Sequence, residues 1–142
     1  MELKDRVVLD TNCLLASLSS RSVYFSIWQG FRSGFFTLCV SNEIIEEYQE
    51  IIVRKTNASI ARNVVNAIVE SEYVEFIDPQ FKLRLITKDH DDDKFVDCAF
   101  AANATYIVSE DTHFDVLHTI PFPRILVLRI NEFLNRLQQC AN

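Results

Sequence analysis

The residues Lys88 to Asp97 read KDHDDDKFVD and hold five aspartates, Asp89, Asp91, Asp92, Asp93 and Asp97. A helix start accounts for part of this charge, because its free N–H groups and macrodipole favour carboxylates there. Capping does not account for three consecutive aspartates with Asp97 one turn further on, on the same helical face as Asp93. Two carboxylates about 4 Å apart repel by roughly 4 kcal/mol at an effective dielectric near 20. The chain has no comparable basic cluster to offset converging acids, so a divalent cation is the expected partner.

Three other acids stand where they can join such a site. Asp10 ends the apolar run VVLD, and Asp111 follows YIVS by two residues. Glu47 belongs to the helical run NEIIEEYQEIIVRK, whose apolar stripe is Ile44, Ile45, Tyr48, Ile51 and Ile52. It lies between Ile44 and Ile51 on the border of that stripe, whereas Glu46 and Glu50 point towards water. The ordinary alternatives are an Asx turn for Asp10, a helix cap for Asp111 and a solvated face for the glutamates. Oxygen-only donors select Mg²⁺ or Mn²⁺ over zinc. Such ions activate water and offset charge in phosphodiester hydrolysis. No local Ser–His or Cys–His motif offers a competing chemistry.

Alternating elements would position these acids. VVLD (7–10), FTLCV (36–40), YVEFI (73–77), YIVS (106–109) and RILVL read as strands. Helices are expected over SVYFSIWQGFRSG, which stops at Gly34, over 42–54 with Ser41 or Asn42 as cap, around 59–71, and over DDDKFVDCAFAANA. DTHFDVL is expected to begin another helix, and NEFLNRLQQ forms the last. The alternation predicts a three-layer α/β/α sandwich around a central parallel sheet, with 1–142 as one domain. In such sheets, ligands bind beyond the carboxyl ends of the strands.

Composition narrows the function classes. At 142 residues, 49% hydrophobic, with two Gly and three Pro, the chain has material for a substantial core. The formal charge of −6 lacks the basic footprint of a nucleic-acid binder, unless a loaded metal site reverses the local sign. No run approaches a membrane span and MELKDRVVLD is no signal peptide, so the expected location is the cytosol. Cys13, Cys39, Cys98 and Cys140 lack metal-ligand spacing and read as reduced and structural. His90, His113 and His118 carry no metal-protease pattern and are assigned ordinary surface or core roles.

The chain resembles the PIN domain family of metal-dependent nucleases, many of them toxins of prokaryotic toxin–antitoxin pairs. VVLDTNCLLASL is similar to the family's opening strand and DTN turn, and CVSNEIIEEYQEII to its serine followed by a helix with an inward glutamate. DDDKFVDCAFAANATYIVSEDTHF is similar to its acid, alanine-rich helix, hydrophobic strand, Ser/Thr and final acid. The resemblance implies that Asp10, Glu47, Asp93 and Asp111 bind metal, with Asn12 and Ser109 orienting them or the metal's waters. Asp93 is preferred to its neighbours because it has the family's distance to the strand, sixteen residues before Ser109. Asp97 is assigned a supporting place behind it.

The same resemblance implies RNA cleaved by metal-activated water to leave a 5′-phosphate. It also implies self-association as a homodimer or higher homo-oligomer, and a small antitoxin partner. RNA contacts would rest on few cations, such as Arg21, Arg32, Lys55 and Arg62, which otherwise read as solvated surface. Tyr24, Phe25, Trp28, Phe31, Phe35 and Phe36 supply core packing, with any surplus available to a partner. A catalytically silent protein or RNA interaction module is the rival reading. A phosphoacceptor or phosphatase is a weaker third, because DTN lacks the second aspartate of a DxD pattern.

Overall fold

A computed structural model describes residues 4–86 and 90–140. Five short strands form one sheet: β1 (Arg6–Leu9), β2 (Thr37–Val40), β3 (Val74–Phe76), β4 (Tyr106–Val108) and β5 (Val127–Leu128). All neighbouring pairs are parallel, in the order β3-β2-β1-β4-β5. Val7, Val8 and Leu9 are all essentially inaccessible, as are Tyr106, Ile107 and Val108. Successive strand residues point to opposite faces, so continuous burial requires cover on both.

The cover comes from six helices: α1 (Thr11–Ala16), α2 (Phe25–Arg32), α3 (Asn42–Lys55), α4 (Ala58–Val69), α5 (Asp93–Ala102) and α6 (Ile130–Cys140). α3 packs against α4, α1 and α5, while α2 packs against α6. This is the expected α/β/α architecture. Phe36 meets Phe133 of α6 edge-on at 5.1 Å, and Tyr106 meets the same ring at 5.6 Å. Across the sheet, the buried Tyr48 hydroxyl of α3 donates to the Leu9 carbonyl at 2.5 Å, tying α3 to the end of β1. Phe31 and Phe36 are fully buried, whereas Phe35 is half exposed. Arg21, Arg32, Lys55 and Arg62 are all exposed.

Local sequence explains most boundaries. Ser41 Oγ accepts the Ile44 N–H and Asn57 Oδ1 the Ile60 N–H, capping α3 and α4. α5 stops at Asn103, which takes the left-handed conformation that asparagine tolerates. Gly34 has φ +80, and a Cβ there would lie 2.6 Å from the Tyr73 ring, so the turn into β2 requires glycine. Three expectations change. The helix expected from Ser22 begins only at Phe25, DTHFDVL forms a 3₁₀ helix (Thr112–Thr119) rather than an α-helix, and RILVL contributes only two residues of strand. Among the described residues, no helix is long and apolar enough to cross a membrane.

The chain runs outward from β1 through β2 to β3, then returns to place β4 on the other flank of β1. The crevice between β1 and β4 at their carboxyl ends is therefore the topological switch point. The Asp10 N–H continues the ladder onto the Val108 carbonyl at 3.0 Å, which puts Asp10 at its mouth.

Candidate active site

Asp10 and Ser109 meet directly at that crevice. The buried Ser109 Oγ donates to Asp10 Oδ2 at 2.7 Å and accepts the Asp111 N–H at 2.9 Å. One hydroxyl thus fixes a carboxylate at the end of β1 and the backbone of the turn after β4. Asp10 is only 7% exposed, and burial pushes its pKa up. The Ser109 hydroxyl and the Thr11 N–H oppose that shift, while the charges of Glu47 and Asp111 add to it. The last two effects place Glu47 and Asp111 each within electrostatic reach of Asp10.

Glu47 is partly buried on α3, while Glu46 and Glu50 are exposed and Glu50 pairs with Arg54 at 2.9 Å. Its two oxygens are held separately. Thr11 Oγ1 donates to Oε2, and the Lys94 ammonium sits 2.7 Å from Oε1. Thr11, absent from the sequence reading, is the polar side chain of the DTN turn that touches an acid. Asn12, expected there, is exposed on the first turn of α1.

The aspartate run divides differently from expectation. A 3₁₀ turn, His90–Asp92, precedes α5, and successive residues of a helix point about 100° apart. Asp92 and Asp93 therefore leave the backbone in different directions. Asp92 is the N-cap residue of α5, yet its side chain makes no capping bond; Oδ2 instead lies 3.3 Å from His113 Nδ1. The Asp92 side chain is 14% exposed.

Asp93 turns the other way, where its Oδ1 accepts the Ile86 N–H at 2.9 Å. One turn on, Asp97 Oδ1 accepts the Leu83 N–H at 3.0 Å. Together they pin the segment 83–86 along α5. They line a cleft of about 450 Å³ with Ser41, Asp78, Lys82 and Arg84. Burial raises the pKa of Asp97, which the Leu83 N–H partly offsets and the Asp93 charge reinforces. Of this run, Asp92 is grouped with Asp111 and His113, while Asp93, expected in the acid cluster, lines the cleft beside α5. Asp89 lies outside the described residues.

Asp111 caps the Thr112–Thr119 helix, its Oδ1 accepting the His113 N–H at 2.9 Å. The same oxygen lies 3.4 Å from His113 Nδ1. Asp92, Asp111 and His113 thus bring donor atoms within 4.8 Å of one another, all three partly buried. His113 had an ordinary role in the sequence reading. The missed signal is its place two residues after a capping aspartate, which carries its ring alongside that carboxylate. Two carboxylates and one imidazole, those of Asp92, Asp111 and His113, form a donor group of the kind that can hold a divalent ion.

The parallel sheet, with acids at its switch point, defines an α/β protein with a candidate cation site. Residues 6–113 match the model of the PIN domain, and the chain belongs to that family. No curated protein sequence matches it significantly. Among solved structures, VapBC2 from Rickettsia felis bound to a DNA fragment from its promoter is similar, at 16% identity and TM-score 0.59. That match covers 87% of this chain and 98% of the other. The PIN domain endonuclease Utp24 matches at 16% identity and TM-score 0.53, over 87% of this chain and 84% of its own. VapC20 of Mycobacterium tuberculosis, a sarcin–ricin loop cleaving toxin, matches at 13% and 0.56, over 77% and 92%. At these identities the likeness is one of fold.

Proposed function

We propose that this chain is a divalent-metal-dependent endoribonuclease and the toxin component of a toxin–antitoxin pair. The observation that carries the reading is Asp10 at the switch point of a PIN sheet, tied through Ser109 to the turn of Asp111 and within electrostatic reach of Glu47. The proposed ligand acids are Asp10, Glu47, Asp93 and Asp111, with Asp92 beside Asp111 as a further acid of the same run. Family membership supports hydrolysis of a phosphodiester, and the endonuclease and toxin among the fold relatives favour it. RNA is the proposed substrate and Mg²⁺ or Mn²⁺ the proposed ion. A small antitoxin and a second copy of the chain are the proposed partners.

When bound, the ion supplies an activated water and offsets charge on the scissile phosphate. The residues around it divide the remaining work. Ser109 holds Asp10 and the Asp111 backbone in register, and Thr11 and Lys94 fix the two oxygens of Glu47. Burial of Asp10 lowers the local dielectric and strengthens its attraction for a cation. Asp93 and Asp97 also anchor the neighbouring segment through the Ile86 and Leu83 N–H groups.

Purified protein is expected to cut single-stranded RNA with Mn²⁺ and to stop with EDTA. Asp10→Asn and Asp93→Asn variants should lose that activity; if both cut as fast as the parent, the cleavage comes from a contaminant and the reading fails. The ion pair of Lys94 with Glu47 favours a second reading, a silent interaction module, because it compensates one acid without any metal. Calorimetry separates them: no Mn²⁺ uptake at millimolar ion supports the silent module.

A further inference from the structure

We propose that His113 is a nitrogen ligand for the divalent ion, and that it tilts the site towards Mn²⁺ over Mg²⁺. The inference rests on the metal-site part of the reading above and adds a residue outside its four acids. His113 Nδ1 lies 3.3 Å from Asp92 Oδ2 and 3.4 Å from Asp111 Oδ1. Adjacent ligands of an octahedral ion with bonds of about 2.1 Å stand about 3.0 Å apart. The two edges from Nδ1 are therefore within a few tenths of an ångström of octahedral spacing, and the third pair of donors lies within 4.8 Å.

The ring is also oriented. His113 donates its backbone N–H to Asp111 Oδ1, so one capping bond sets both the carboxylate and the imidazole beside it. Asp92 reaches the same point from the first turn of α5. Three donors from two elements fix a position more tightly than acids on one loop.

The chemical consequence follows from ligand type. Mg²⁺ takes oxygen donors and keeps several waters, whereas first-row transition ions accept imidazole readily. A carboxylate-only crevice would treat Mg²⁺ and Mn²⁺ alike apart from size. An imidazole in the set gives Mn²⁺ a bond that Mg²⁺ uses poorly.

The test is made on the full chain with Mn²⁺ and Mg²⁺ chlorides. Pulsed EPR of the Mn²⁺-loaded protein should show ¹⁴N modulation from a directly bound imidazole, and His113→Gln should remove it. In calorimetric titrations His113→Gln should weaken Mn²⁺ by about tenfold or more, within the range of ligand-sphere losses. Mg²⁺ should change far less, so the affinity ratio collapses. Melting of His113→Gln in EDTA checks that the fold is intact, and the ¹⁴N signal of the parent stands whether or not that variant folds. Mn²⁺ bound without ¹⁴N modulation overturns the inference and leaves the acid site standing. A Mn²⁺ affinity that rises in His113→Gln also overturns it, since the ring would then act as a competing cation between two carboxylates. No uptake of either ion overturns the metal-site reading itself, and the inference with it.

Discussion

Exchanging the roles of Asp92 and Asp93 by mutation tests the central geometric claim. Asp93→Ala removes the acceptor of the Ile86 N–H, and both residues are buried. Leaving a buried donor unsatisfied costs about 1–3 kcal/mol. For a chain of this size each kcal/mol moves the melting temperature by roughly 2–4 °C, so a fall of about 2–12 °C is expected. Asp93→Asn keeps an oxygen acceptor in place and should fall by less. Asp92→Ala removes no bond to the 83–86 segment and takes one carboxylate away from Asp111. Its melting temperature in EDTA should change less than that of Asp93→Ala, while its Mn²⁺ affinity should drop by about 10–100-fold. Differential scanning calorimetry in EDTA and isothermal titration with Mn²⁺ read the two effects independently. If Asp93→Ala melts like the parent yet loses Mn²⁺, while Asp92→Ala binds it normally, the division of the run is wrong.

Other perturbations have equally definite outcomes. Lys94→Met strips Glu47 of the ammonium that sits 2.7 Å away in a largely covered site. It should destabilise the protein in EDTA by about 1 kcal/mol, and saturating Mn²⁺ should narrow that gap in chemical melts. Tyr48→Phe deletes a buried bond to the Leu9 carbonyl and should cost about 1–2 kcal/mol by urea titration. Arg136 makes two bonds to Asp5 and holds its carboxyl below the ordinary value of 3.8. A lowered folded pKa contributes stability above the unfolded value and loses it as pH falls through the folded one. The stability gap between parent and Arg136→Ala should thus be full near neutral pH and close in acid, below the usual aspartate range.

How far the sequence carried these conclusions depended on how local the determining physics is. The parallel sheet was legible because β-branched runs such as VVL and YIV alternate with periodic helices, and no long-range information is needed to see that. The inward lean of Glu47 was legible because the stripe of Ile44, Tyr48 and Ile52 sets the buried face of α3. The choice between Asp92 and Asp93 was not, because it turns on where the α-helix begins. A 3₁₀ turn ahead of Asp93 rotates the run by an amount that composition does not encode. Sequence spacing to Ser109 favoured Asp93, and the structure adds a bond from the Ile86 N–H that no local pattern announces. Thr11 and His113 were passed over for a related reason. Each gains its meaning from a residue on another element, Glu47 for one and Asp92 for the other.

The bond between Ser109 and Asp10 joins residues 99 apart in the chain. A growing or truncated polypeptide lacking β4 would already carry Asp10, Glu47 and Asp92, yet have no seat to bring the first to the turn that holds Asp111. The acid constellation is consequently a product of finished folding rather than of any fragment. For a protein whose proposed activity threatens the cell that makes it, this ties the activity to completion: a chain that stops before β4 lacks both Ser109 and Asp111.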